Sequence, residues 1–519
     1  MNYVGTARPI HDAKGKATGY SKYAGDISLS NMAYLCMLHS KIPHGYVKAV
    51  HAEKALALPG VYGVYHCLNT SERKYNRYRS SFDQAYLANE ERAFNQYVRF
   101  VGDKIGAVAA CDQETAEKAA RLVEVEYEEL SFSIGFDDTL AGKNCLDGET
   151  PVRDEYELDV GEKQGSAEGL IEVCSTMELP RLHHATMETH ACIADYDPYS
   201  DMLTVYCPNQ AVHGIRTVLA DFLEMPESHV RVVKATMGGS FGAKQEWFLE
   251  PVTALVAKKL CRPVKLVYSR GEAMTDTIVR GAMRMSARGY YTPDGEMKEI
   301  YCDVTLDAGA YIGNAGDYVR ALAGKPTRCY RIPYMHYHGQ VISSNSPVSG
   351  AFRSWSAAEE ALMMERQLDA AAEKLGMDRL AIRLKNVARS GEEDKKLHLS
   401  LEDIRIGDAI TLGSEKFGWD KLKAEDAAFN ASQQRYRRGV GIGIGGHGNT
   451  YFPRFNDYGE GSISLNADGS MQANFTLHDH GCGTVTAMRM IAAEVLKVPE
   501  DKIYMTEGDT AVTPIDYGW

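Results

Sequence analysis

Paired cysteines are the first thing this sequence lacks. Its 11 cysteines stand far apart with no Cys-x-x-Cys, so neither an iron–sulfur cluster nor a structural zinc site is encoded, and reduced core thiols are expected. Long apolar runs are missing too. None reaches the ~18 residues that a membrane span requires, and the first twenty residues carry charges, glycine and proline but no apolar leader core. A cytoplasmic protein is expected. Basic stripes are absent and the net charge is −13, which argues against nucleic acid or an anionic membrane and for proteins and small molecules as partners. Metal-ligand spacing is also missing. His183, His184, His190 and His213 fit no single ligand set, while His478, His480 and Cys482 alternate along an extended stretch too short to close a tetrahedron unaided. No metal is assigned to side chains, and packed or hydrogen-bonded histidines are expected.

What is present is ample core and a recurrent local pattern. A chain of 519 residues with 44% hydrophobic content spread evenly implies several domains, since single cores stop growing near ~250–300 residues. The β-branched run 229–236 empties into Met237-Gly-Gly-Ser-Phe-Gly-Ala-Lys244, followed by helical spacing. Three glycines in five positions let a backbone turn with positive φ and approach a ligand, and a following helix offers unpaired N–H groups, so an anion is the natural occupant. The loop fails as a Walker loop, because Ala243 separates Gly242 from Lys244 and Gln245 follows. It fails as a dinucleotide fingerprint, because Met237 stands where glycine is needed.

The pattern recurs twice. A strand over 337–344 leads to Pro347-Val-Ser-Gly-Ala-Phe-Arg-Ser-Trp355 and a helix with Ser356 and Glu359 as capping box, Ala361, Met364, Leu368, Ala371 and Leu375 on one face, and Gly376 as stop. Arg353 stands just outside that helix, where a planar cation adds fixed donors for an anionic or oxo ligand. Strands over 461–465 and 471–477 lead to His478-Asp-His-Gly-Cys-Gly-Thr-Val-Thr486 and an amphipathic helix. Upstream, 98–110 reads as strand, turn, strand, 114–122 as helix and 123–130 as a half-buried strand. The expected fold class is α+β: a small domain at 1–140, a polar linker at 141–165, a large domain at 166–405 after which the chain is polar to about residue 430, and the first part of another domain at 406–519.

The motifs in this order resemble the molybdenum-binding subunit of the xanthine dehydrogenase and aldehyde oxidase family. Gly19-Tyr-Ser-Lys-Tyr-Ala-Gly-Asp26 and Val101-Gly-Asp103 are similar to its opening hammerhead domain, and 237–244 to its Gly-Gly-x-Phe-Gly-x-Lys loop. The resemblance implies molybdopterin, in its cytosine dinucleotide form, held by Gly239, Ser240, Phe241, Gly242, Arg353 and the loop Gly481, Cys482, Gly483. It implies Gln210, in Tyr206-Cys-Pro-Asn-Gln-Ala-Val-His213, beside an oxygen on molybdenum, and Arg320, Gln245 and Trp355 around a flat substrate. The chain departs from the family at three of these places: Ser354-Trp355-Ser356 replaces Gly-Phe-Gly, Gln245 replaces a frequent Glu, and Cys482 replaces a Gln. The implied reaction is hydroxylation of a purine or related N-heteroaromatic with oxygen from water. Nicotinate-like or aldehyde substrates and an inactive scaffold are the alternatives. Electrons would leave through [2Fe–2S] and FAD on partner subunits, and a further C-terminal molybdenum-domain chain would supply the Glu base that no residue here matches.

Overall fold

The computed structural model describes residues 3–516 apart from 79–87, 147, 149, 164, 166–167, 433–434 and 448–458. Its architecture is α+β, built on two large sheets and a smaller one. The first sheet has seven strands in the order Val230–Lys234, Met202–Cys207, Ala191–Asp197, Val264–Val267, Ala33–His39, Lys104–Ala110 and Val61–His66. Strand Lys104–Ala110 is buried at every position, which its unbroken Ile-Gly-Ala-Val-Ala-Ala run permits because a strand covered on both faces need not alternate. Strand Ala33–His39 pairs in parallel with Val264–Val267, starting at Ala33 opposite Val264. The N-terminal unit and the following domain therefore share one sheet and one core, and the boundary expected near residue 140 divides the chain without dividing the packing.

The second sheet runs Ile171–Leu179, Ala282–Tyr291, Met297–Gly309, Tyr334–Ser343 and Val152–Gly161. Its last strand corrects the sequence reading. The stretch 141–165 has the composition of a surface linker, yet Val152–Gly161 pairs antiparallel with Tyr334–Ser343 from Gly161 opposite Tyr334 onward. The Asp and Glu side chains that make this stretch look like a linker sit on an edge strand, where polar residues are favoured. Helix Ala357–Leu375 buries Met364, Leu368 and Ala371 against the sheet, as its apolar spacing dictates. The charged stretch after Arg389 is not featureless either; it holds helices Ile406–Phe417 and Trp419–Ser432. The third sheet, Gly461–Leu465, Met471–Phe475 and Ile503–Glu507, packs helix Thr484–Leu496 through Ala473, Val485, Ala493 and Ile503.

One local expectation fails at the first glycine loop. The helix after it begins only at Glu250, with Pro251 in its first turn, where a residue without an N–H costs nothing. The intervening residues are pulled aside by Trp247, whose N–H and indole Nε1 donate to the carbonyls of Arg77 (3.1 Å) and Asn76 (2.9 Å). This loop therefore does not deliver a ligand directly to a helix N-terminus.

Candidate functional site

The first glycine loop is held from three sides. Gly239, Phe241 and Gly242 take φ of 98°, 55° and 100°. Glu188 Oε2 accepts from the Gly238 N–H at 2.7 Å and from Lys244 Nζ at 2.5 Å, so a carboxylate of this chain takes one backbone donor and the lysine of the loop, while the N–H groups of Gly239, Ser240, Phe241 and Gly242 make no hydrogen bond among the described residues. Burial lowers the pKa of the Lys244 ammonium, and Glu188 opposes that fall. Gln210, two residues before helix Val212–Leu223, donates its N–H to the Lys244 carbonyl at 2.9 Å. Its Oε1 accepts from the Ser240 hydroxyl at 2.6 Å, which leaves the amide nitrogen as the group aimed elsewhere. His190 Nε2 donates to the Ala243 carbonyl at 2.9 Å. Burial drives the His190 pKa down to about 3, so it braces the loop as a neutral ring.

The second loop lies against the first. The Arg353 N–H donates to the Phe241 carbonyl at 2.8 Å, and His184 Nε2 donates to the Ala351 carbonyl at 2.8 Å. The Phe352 ring is flanked by the His184 ring at 4.4 Å and the Arg280 guanidinium at 4.3 Å. The expected capping box does not form. Ser356 has φ of 66° and its side chain caps nothing; its hydroxyl accepts from Lys325 Nζ at 2.8 Å, while Glu359 pairs with Arg280 at 2.8 Å. A left-handed residue in front of a helix turns its hydroxyl away from the N3 amide that a capping box needs.

The third loop carries its own anion. Asp479 Oδ1 accepts from the N–H groups of Gly481 (2.9 Å) and Gly483 (3.2 Å), and Oδ2 from Val485 (3.3 Å). Against the upward push of partial burial, these amides hold the Asp479 carboxyl below its usual range. Of the loop residues that the resemblance assigns to a pterin, Gly481 and Gly483 thus have their amides taken internally, and the exposed Cys482 thiol lies 2.9 Å from the Thr484 hydroxyl. The third sheet is tied to the strand Val230–Lys234 that precedes the first loop by Lys234–Glu507 (2.8 Å) and by two bonds from Arg231 to Asp509 (2.6 and 3.0 Å).

Of the residues singled out from the sequence, the structure brings Gln210, Gly239, Ser240, Phe241, Gly242 and Arg353 together. Phe241 is 48% exposed, and Arg353 is exposed with no ion-pair partner among the described residues. Trp355 follows, its ring 5.2 Å from Tyr318 and 6.1 Å from Tyr78. Gln245 is half-buried at the end of the first loop. Arg320 does not join them. Its guanidinium pairs bidentately with Asp154 on the edge strand and lies over the Tyr156 ring at 5.4 Å. Tyr318 faces Trp355, and a residue two positions on along a helix points roughly the opposite way, so the helix that offers Tyr318 to the cluster turns Arg320 from it.

Sequence reasoning missed Glu188, Asp479 and two buried carboxyls behind the first loop. Glu246, 2% exposed, takes a bond from Asn314 Nδ2 at 3.0 Å, and burial pushes its pKa up to about 8; burial pushes Glu250 up to about 7. Glu188 sits in Met187-Glu-Thr-His190, where its chain neighbour His190 is the only local signal. A groove of 1030 Å³ between strand Ala33–His39 and helix Gln113–Ala120 is lined by none of the glycine-loop residues, and we do not place the site there.

With the loops in place, comparisons with known proteins fix the class. Residues 152–387 and 412–518 each match the molybdopterin cofactor-binding domain, and 18–131 the aldehyde oxidase and xanthine dehydrogenase a/b hammerhead domain. The chain belongs to the molybdenum hydroxylase family of xanthine dehydrogenases and aldehyde oxidases, as a molybdenum-binding subunit. It is 32% identical to one of the probable xanthine dehydrogenase subunits of Bacillus subtilis (strain 168), over 99% of this chain and 67% of that one. Identity to the xanthine dehydrogenase molybdenum-binding subunit of Escherichia coli O157:H7 is 29%, over 98% of this chain and 68% of that one. The quinoline 2-oxidoreductase of Pseudomonas putida 86 shares the fold with a TM-score of 0.90 at 22% identity, covering 100% of this chain and 68% of that one. The residues present fit a molybdopterin at the junction of the first two loops, where an arginine with no ion-pair partner among the described residues, an amide nitrogen and an exposed phenyl ring meet. In the third loop Asp479 takes the Gly481 and Gly483 amides, and the Cys482 N–H makes no hydrogen bond among the described residues.

Proposed function

We propose that this chain is the molybdenum-cofactor subunit of a cytoplasmic, multi-subunit oxidoreductase that hydroxylates a purine or related N-heteroaromatic. The observation that carries this is the contact between Phe241 and Arg353, which sets a guanidinium with no ion-pair partner among the described residues beside a glycine loop whose Gly239, Ser240, Phe241 and Gly242 N–H groups make no hydrogen bond among those residues. Gly239, Ser240, Phe241, Gly242 and Arg353 would hold the cofactor, as its cytosine dinucleotide, with Gly481, Cys482 and Gly483 at its far end. When bound, the cofactor supplies two-electron oxidation of a C–H carbon with water as the oxygen source.

The chain's own residues do the rest. Ser240 fixes the Gln210 amide so that its nitrogen donates toward the reacting oxygen. Arg353 neutralises charge that develops at the cleft. Trp355, with Tyr318 and Tyr78 behind it, offers a flat wall to an aromatic substrate, and Gln245 borders the slot. Iron–sulfur and FAD subunits receive the electrons. The third sheet and its helix, which leave Leu465, Val495 and Tyr504 at 70%, 73% and 70% exposure, are the unit to which we assign the polypeptide that brings the proton-accepting Glu. The test is metal and pterin analysis of the purified complex, followed by turnover with xanthine, nicotinate and an aromatic aldehyde. Stoichiometric molybdenum with xanthine turnover supports this reading; molybdenum-free protein refutes it.

A further inference from the structure

Ser354, Trp355 and Ser356 have φ of 93°, 43° and 66°. Three consecutive non-glycine residues in the left-handed region are unfavourable, because each Cβ crowds its own backbone, and such a run persists only where the surroundings over-determine it. Part of the restraint is local: the Trp355 N–H donates to the Phe352 carbonyl at 2.9 Å, and the Ala358 N–H to Ser354 Oγ at 3.1 Å. A further restraint comes from a distant side chain. Lys325, 7% exposed and directly before helix Pro326–Cys329, donates from Nζ to the Trp355 carbonyl and, at 2.8 Å, to the Ser356 hydroxyl.

The groups facing this ammonium explain why it spends its donors there. Glu359 and Glu360 approach from the helix above, Arg328 from its own helix and Lys396 from a neighbouring loop. Glu359 is taken by Arg280. Burial pushes the Glu360 carboxyl up to about 8, so it is neutral near pH 7. Among the described residues no carboxylate forms an ion pair with Lys325. A bland reading as a buried salt bridge therefore fails, and the backbone of the strained turn is the partner.

We propose that Lys325 is a positioning residue of the substrate slot: by clamping the Trp355 carbonyl and the Ser356 hydroxyl it holds 354–356 left-handed and fixes the indole as the wall on which a flat ring stacks. The clamp stands on the geometry alone; the nature of the ring rests on the functional reading above.

The test is a mutant cycle. Lys325→Met is made in the natural chain and in a Ser354→Gly/Ser356→Gly background, since glycine adopts positive φ without help. Acrylamide quenching of Trp355, isolated by subtracting the spectrum of the matching Trp355→Phe protein, needs no cofactor. Turnover of a heteroaromatic by the molybdenum-loaded complex is the second readout. In the natural chain, Lys325→Met is expected to increase quenching severalfold and to raise KM about tenfold with kcat nearly unchanged, the mark of lost uniform binding. In the glycine background the same change should move neither value by more than about twofold. A Lys325→Met protein that folds only in the glycine background supports the clamp equally. Unchanged quenching in Lys325→Met, or a change of equal size in both backgrounds, overturns it. If no version turns over any heteroaromatic, the functional reading fails while the quenching cycle still decides the clamp.

Discussion

Gly242 lies so close to Ala351 that a Cβ built on it would meet the Ala351 carbonyl oxygen at 2.5 Å. Sequence reasoning keeps this glycine small for a ligand; the structure shows it small for the second loop. Gly242→Val combines that collision with β-branching at a φ of 100°, and should destabilise by roughly 3 kcal/mol or more. Gly481, at φ 106° with nothing within 4 Å of an added Cβ, should cost only about 1 kcal/mol on mutation to alanine. Thermal melts with molybdenum-to-protein ratios check both. A Gly242→Val protein with unaltered melting and metal content would show that the two loops need not touch.

Gln210 and Ser240 act as a pair across a 2.6 Å hydrogen bond. Gln210→Ala should lower kcat by about 10²-fold while molybdenum stays bound, the usual cost of one oriented donor. Ser240→Ala should cost less, because the amide stays but loses its preferred orientation. Equal losses in the two variants would mean that Gln210 serves only to hold the loop.

The two arginines should separate cleanly. Arg320 sits in a part-exposed ion pair with Asp154, an interaction worth about 0–1 kcal/mol, and Arg320→Met should change KM for a heteroaromatic by no more than about twofold. Arg353→Met removes an unpaired cation from the loop junction, and should raise KM or empty the cofactor site. A tenfold KM effect at Arg320 would restore the purine clamp that the sequence suggests.

Stability should peak on the acid side of neutrality. Burial holds His184, His190 and His213 near pKa 4, 3 and 4, so unfolding takes up protons below ~6.5 and their contribution is lost as pH falls through that range. Burial pushes Glu246, Glu250 and Glu360 up to about 8, 7 and 8. The folded state then binds more protons than the unfolded one above ~4.3, and stability is lost as pH rises toward 8. Above ~6.5 only the carboxyl trend remains. The melting temperature should fall between pH 6.5 and 8, and Glu246→Gln should reduce that fall. A flat profile with no effect of Glu246→Gln would mean that these carboxyls ionise freely in the folded protein.

The α+β class, the three glycine loops and the helix 357–375 are legible in the amino-acid order alone, because each rests on local chemistry: β-branched runs, glycine where φ must be positive, and apolar residues at helical spacing. So is the grouping of Phe241 with Arg353, since their motifs recur as a set, and the two loops do touch. Long-range packing set the rest. It placed Val152–Gly161 in a sheet, because an edge strand and a linker share a polar composition. It turned Arg320 toward Asp154, because one helix residue's direction depends on what the neighbouring strand offers. It set Glu188 and Asp479 on some of the donors of two loops, and anchored Trp355 on Lys325. These last are contacts between residues distant along the chain or set by backbone geometry, and no spacing rule encodes which carboxylate or ammonium reaches a given amide or carbonyl first.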